Sequence, residues 1–209
     1  MLLSSIKDKL LPPWPRTELI LASSSPRRAE ILRNAGFAFE VRASHIDETR
    51  RERESGRAYA LRLAKEKAGA VAERMKRSGG AVVVGADTIV LAQGRILGKP
   101  QDVREARRML RLISGRTHEV LTGVCLVSMP AGKKLSHVES TRVHFVKLSN
   151  RQIDDYIATG EPFDKAGAYA VQGIGARFID RIEGCYFNVM GLPISRVWSM
   201  LRRLSESKG

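Results

Sequence analysis

Ten residues near the middle of the chain, AVVVGADTIV at 81–90, constrain the fold more than any other stretch. A continuous apolar run rich in Val and Ile reads as a strand buried on both faces, the kind found at the centre of a sheet that helices cover. It is too short for a membrane span, which needs ~18 unbroken apolar residues, and Asp87 interrupts it. The strand is expected to end near Asp87, where open α/β sheets commonly hold their ligands. A carboxylate buried there must meet a cation, a metal ion or hydrogen-bond donors, because burying it unpaired is costly. The plain structural alternative is an Asp that caps the turn after the strand.

The rest of the chain fits around such a strand. ELILA (18–22) reads as a second short buried strand, followed by Ser25 as N-cap and Pro26 as first residue of a helix ending near Gly36. AFEVRAS (38–44) alternates like a strand, and a longer helix is expected from near Ser55 to Met75. Gln93 and Gly94 should turn the central strand back as a hairpin. Asp102 with Glu105 forms a capping-box pattern ahead of ARRMLRLI, and Ser149 with Gln152 forms another. THEVLTGVCLVSM and SHVESTRVHFVKL read as two long strands around PAGKK, RFIDRIEG as a further strand, and Pro193 as the opening of a last amphipathic helix. Alternating strands and helices with a long hairpin predict an α/β fold with a mixed, twisted sheet and flanking helices. It should form one elongated, two-lobed domain with a central cleft. Residues 1–17 read as an N-terminal extension with an amphipathic turn of Leu3, Ile6 and Leu10, 18–205 as the domain and 206–209 as a tail.

Composition narrows the partners. The chain has 209 residues with 36 Lys and Arg against 22 Asp and Glu, a formal charge of +14, which points to a polyanionic partner. The excess is spread along the chain without a basic tail, and no aromatic residues interleave with the basic runs, so it reads first as solvated surface, then as steering of a phosphorylated small ligand, and a nucleic-acid surface comes last. Cys125 and Cys185 have no disulfide or zinc spacing, which fits a reducing, cytoplasmic setting.

Four groups of residues carry chemistry. In SSSPRR, the Ser25 hydroxyl, the first-turn N–H groups and the helix dipole converge where an anion would bind, and Arg27 and Arg28 add guanidinium forks that match phosphate oxygens. Asp87 and Thr88 stand on the central strand. Asp47 and Glu48 are adjacent carboxylates able to hold Mg²⁺ or Mn²⁺ together with Asp87, although in DETRRERES they also read as a charged loop. Lys67 and Lys99 read by default as solvated. In GEPFDKAGAYAVQGIGARF (160–178), glycines permit close backbone approach and Gln172 offers both donor and acceptor, as reading a nucleobase edge requires. His45, His118, His137 and His144 lack ligand spacing and read as structural or surface residues.

These blocks, in order LASSSPRRAEIL, LAKEKA, GADTIV, ILGKP, SGRTHEVLTGV, GEPFDKAGAYAVQG and GCYFNVMGLPISR, resemble the Maf nucleoside triphosphate pyrophosphatases, also called septum formation proteins. The resemblance implies a two-lobed α/β fold of the Maf/ITPase-like kind, a homodimer, and hydrolysis of a nucleoside triphosphate to the monophosphate and pyrophosphate with Mg²⁺ or Mn²⁺. It assigns Asp87 as proton acceptor, Glu48 with Asp87 to metal, Ser25, Arg28, Lys67 and Lys99 to phosphate, and Thr88, Gln172 and Arg28 to substrate choice. DKAGAYAVQG looks like the branch acting on dTTP and UTP. The rivals are the 7-methyl-GTP branch and a nucleic-acid-associated regulator of cell division.

Overall fold

The structure, a computed structural model, describes residues 18–75 and 80–206. The amphipathic turn expected at Leu3, Ile6 and Leu10 lies outside the described residues. Seven strands form one mixed sheet: β1 (Glu18–Leu21), β2 (Glu40–Val41), β3 (Ala81–Ala92), β4 (Arg95–Leu97), β5 (Thr117–Met129), β6 (Lys133–Phe145) and β7 (Ile179–Glu183). Their order is β2-β1-β3-β5-β6-β7, with β4 also paired to β3. β1 runs parallel to β2 and β3, and all other pairs are antiparallel. The helices are α1 (Pro26–Asn34), α2 (Gly56–Met75), α3 (Val103–Ile113), α4 (Asn150–Ala158), α5 (Tyr186–Met190) and α6 (Ile194–Glu206).

The central run is a strand, as its sequence requires, but it does not stop at Asp87. It continues to Ala92 because Ile89, Val90 and Ala92 have apolar surface to cover and β5 stays paired with it as far as Leu91. The hairpin forms at Gln93 and Gly94, both with positive φ (49° and 72°), the two-residue turn whose twist matches its strands. β2 shrinks to two exposed residues, since Glu40 and Val41 pair with β1 but cover no core. Ser149 and Gln152 close the expected capping box on α4. Asp102 caps α3 by accepting from the Glu105 N–H at 2.6 Å, while the Glu105 carboxylate reaches back to the N–H of Gln101 at 2.9 Å.

Alternation along β3 sends its side chains into different cores. Val82, Val84 and Ala86 pack with α1 and α6 through Ile31, Leu32, Val197 and Leu201. Val90 and Ala92, on the same face, pack with α3 and α4 through Met109, Leu110, Ile153 and Tyr156. The expected two lobes are these two clusters at opposite ends of one face. The other face is covered by α2, which lies against the backbone: a Cβ on Gly85 would sit 2.3 Å from the Ala64 carbonyl oxygen, and one on Gly123 would sit 2.2 Å from that of Ala60. Those glycines let α2 approach closely enough for its Lys67 to touch β3.

Between the lobes the sheet has a gap. β1 pairs with β3 only over Ala81–Val84, and β4 only over Val90–Ala92. The intervening residues, Gly85 to Ile89, have β5 as their strand partner on one side alone, among the described residues. The Val84 carbonyl accepts from the Ala22 N–H on the β1 side, so strand alternation turns the backbone groups of Ala86 and Thr88 into the gap.

Candidate active site

A cavity of about 1220 Å³ opens at this gap, and all eight predicted site residues line it: Ser25, Arg28, Glu48, Lys67, Asp87, Thr88, Lys99 and Gln172. They come from six separate stretches of chain, and tertiary packing alone brings them together.

At the centre stands Lys67, which is buried rather than solvated. Its ammonium donates to Asp87 Oδ1 at 2.7 Å and meets Glu48 Oε1 at 2.8 Å. Lys67 and Asp87 are each 7% exposed, so the Asp87 carboxylate has the counter-ion that its burial demands. Burial pushes the Asp87 carboxyl above the usual carboxylate range, against the opposing pull of Lys67 and Arg28. Asp87 therefore has raised proton affinity while remaining next to two cations, which suits a base. Glu48 is held from α2: the Tyr59 hydroxyl donates to the Glu48 carbonyl at 2.7 Å, and Arg62 donates to the Thr49 carbonyl at 3.0 Å. Asp47 takes no part, because its carboxylate accepts from the Thr49 N–H at 2.8 Å and Asp47 lies outside the cavity lining.

Arg28 departs from the expected phosphate fork. It is 8% exposed and donates through Nε to the Gly191 carbonyl (2.8 Å), through Nη1 to Ser23 Oγ (2.9 Å) and through Nη2 to Thr88 Oγ1 (3.1 Å). A guanidinium has five N–H donors, so two remain for a ligand. Its first task is to tie α1, β3 and the turn after α5 together. Thr88 extends that tie to Thr122 Oγ1 at 3.0 Å, forming a polar link between the two apolar lobes. Ser25 occupies the N-cap position of α1, but its side chain makes no capping bond, so the helix N-terminus faces the cavity with that hydroxyl beside it. Lys99 and Gln172 are exposed on the cavity wall.

Sequence reading missed several lining residues. Tyr59, Glu161 and Lys165 face the cavity, as does His45. Arg27 also lines the cavity and reaches Asp164 at 3.4 Å, linking α1 to the glycine-rich segment across it. Only the density of functional residue types in GEPFDK hinted at Glu161 and Lys165. His118 is buried as expected of a structural histidine, bonded to the Tyr169 hydroxyl at 2.8 Å, and burial pushes its pKa down to about 4.

The pair Asp87 and Glu48 fits a divalent cation. Two hard carboxylates converge on one positive charge, and here the Lys67 ammonium stands in that position. No group of three or more His, Cys, Asp or Glu side chains gathers among the described residues. The remaining ligands would come from water and substrate, the usual arrangement for Mg²⁺.

The family model for Maf-like protein matches residues 18–204. The chain belongs to the Maf-like family. Among its relatives is a protein named dTTP/UTP pyrophosphatase from Geobacillus sp. (strain WCH70), 52% identical over 187 residues, which cover 90% of this chain and 98% of that one. Another of the same name, from Koribacter versatilis (strain Ellin345), is 50% identical over 185 residues, covering 88% and 93%. A solved structure, the Staphylococcus aureus Ham1 protein, aligns over 62% of this chain and 72% of that one at 12% identity, with a TM-score of 0.42, a likeness that carries no argument. No helix among the described residues of this Maf-like chain is long and apolar enough to cross a membrane.

Proposed function

We propose that this chain hydrolyses dTTP and UTP to the monophosphate and pyrophosphate. The observation that carries the reading is the buried Asp87–Lys67 pair with the exposed Glu48 carboxylate against it, inside a cavity that also presents Lys99, Ser25 and Gln172. The names of the relatives at about half identity support the choice of substrate.

In this mechanism the triphosphate lies along Lys67, Lys99 and the N-terminus of α1, whose N–H groups and dipole favour phosphate oxygens. The two uncommitted N–H groups of Arg28 add to that cradle. Asp87 accepts the proton of a water that attacks the α-phosphorus, and its raised proton affinity favours the transfer. Glu48 and Asp87 would hold Mg²⁺ or Mn²⁺, which neutralises charge on the phosphoryl oxygens when bound. Gln172 reads the pyrimidine edge from the cavity wall. The family resemblance supports a homodimer, which sedimentation equilibrium tests, and the unpaired Cys125 and Cys185 support a cytoplasmic setting.

The deciding experiment incubates the purified protein with UTP, dTTP, CTP, GTP and 7-methyl-GTP in ¹⁸O-labelled water and follows the label by mass spectrometry. UTP and dTTP should be cleaved in preference, with the label in the monophosphate. Label in pyrophosphate would move the attack to the β-phosphorus, and release of orthophosphate from the nucleotide would refute the reaction. Preference for 7-methyl-GTP would assign the chain to the other branch.

A further inference from the structure

Gln172 is exposed and lies in a segment without long regular structure, so its position needs an explanation. The surrounding backbone supplies one. Tyr156, on α4 and 2% exposed, donates its hydroxyl to Glu161 Oε1 at 2.8 Å. The same hydroxyl accepts from the Ala170 N–H at 3.2 Å. Glu161 then accepts from two further backbone groups, the Gly175 N–H on Oε1 and the Ile174 N–H on Oε2, both at 2.9 Å. One phenol and one carboxylate thus fasten the chain at Ala170, Ile174 and Gly175, and the three residues carried between those fastenings are Val171, Gln172 and Gly173.

The fit around this hub is tight. A Cβ on Gly173 (φ 75°) would lie 2.5 Å from Glu161 Oε2, and one on Gly175 would lie 2.6 Å from the Tyr156 hydroxyl. Both glycines are there because the backbone wraps the hub at contact distance. The Glu161 carboxyl is held below the usual range: its burial opposes this, but the Ile174 and Gly175 N–H groups and the Tyr156 hydroxyl outweigh it. Glu161 also lines the cavity beside Gln172 and Gly173, far in sequence from Asp87 and Lys67.

We infer that Tyr156 and Glu161 are positioning residues for nucleotide selectivity, which they set by fixing the Val171–Gly173 span against the base. The inference rests on the proposed pyrophosphatase reading and adds to it the source of base discrimination. The phosphate cradle is built from α1, α2 and the segment after β4, none of which bonds to the Tyr156 hydroxyl or the Glu161 carboxylate, so binding of a base-free phosphate reads the cradle apart from the hub.

The test uses Tyr156→Phe, Glu161→Gln and Gly173→Ala in the full-length protein. Gly173 is exposed, so its variant loads the hub without opening the core. kcat/KM is measured for UTP, dTTP, CTP and GTP, together with the inhibition constant of inorganic tripolyphosphate, which has no base. The preference for UTP over CTP should fall by about tenfold, mainly through KM for UTP, because losing one well-placed hydrogen bond to the base is worth up to about that much. The tripolyphosphate constant should stay within about twofold. Equal losses for all nucleotides and tripolyphosphate, or unchanged preference in folded variants, overturn the inference and leave the pyrophosphatase reading standing. A wild type that releases no pyrophosphate from any nucleotide overturns both. If Tyr156→Phe fails to fold, Gly173→Ala and Glu161→Gln decide by the same ratios.

Discussion

Lys67→Met tests whether the ammonium of Lys67 is the counter-ion of the site. Met keeps the apolar stem of Lys as far as Cε and removes the ammonium, with its charge and its N–H donors. The Lys67 and Asp87 side chains are 9% and 10% exposed, so the change leaves a carboxylate buried with its nearest cation gone. Removing one partner of a buried pair costs about 3–5 kcal/mol. At roughly 2–4 °C per kcal/mol for a chain of this size, the melting temperature in metal-free buffer should fall by about 6–20 °C. The sign with pH follows from the Asp87 proton. Its carboxyl lies above the unfolded value, so the folded state binds the proton more tightly, and the variant should recover stability as pH is lowered. Divalent metal gives a second signature, because Asp87 and Glu48 lose their shared ammonium and a cation can take its place. Mn²⁺ at about a hundred times its dissociation constant adds ~2.7 kcal/mol. Differential scanning calorimetry of wild type and variant, with and without Mn²⁺, reads all three effects. An unchanged melting temperature without metal, or no greater stabilisation by Mn²⁺ than in wild type, would refute the counter-ion argument.

Asp87→Asn keeps the shape of the side chain and removes the base, so kcat should drop by ~10²-fold or more with the fold retained by circular dichroism; a loss under tenfold rejects Asp87 as proton acceptor. Gly85→Ala drives a methyl group to 2.3 Å from the Ala64 carbonyl oxygen. Thermal unfolding should show a loss of at least about 1–3 kcal/mol, and full stability would mean that α2 can move away at no cost. His118 is neutral in the fold with its pKa near 4, below its ordinary unfolded value of about 6.5. Its contribution is intact above pH ~6.5 and is lost as pH falls towards 4. Urea titrations should show that slope in wild type and a flatter one in His118→Phe, and equal slopes would contradict the burial argument.

Local signals in the sequence were enough to specify most elements. The Gln93–Gly94 turn, the capping box at Ser149 and Gln152, and the period of α6 each act over a few residues and form as read, and the β-branched run at 81–90 forms its strand but carries it on to Ala92. The short helix at Tyr186–Met190 carries no such signal, being closed by Gly191 at positive φ and seated by Asn188, which donates to the Val120 carbonyl at 2.9 Å. The identities of the site residues were legible because their residue types are expensive to bury or apt for phosphate, and the chain places each inside a distinctive block. Their roles depended on distance. Lys67 looked like a solvated helix residue until Gly85 and Gly123 allowed α2 to press it onto Asp87, and Arg28 looked like a phosphate fork until its three nitrogens met Gly191, Ser23 and Thr88. Sequence determines which charges exist and which elements carry them. Only the packing of those elements decides which charges face one another, because the energy of a buried charge depends on partners brought from as far as 163 residues away.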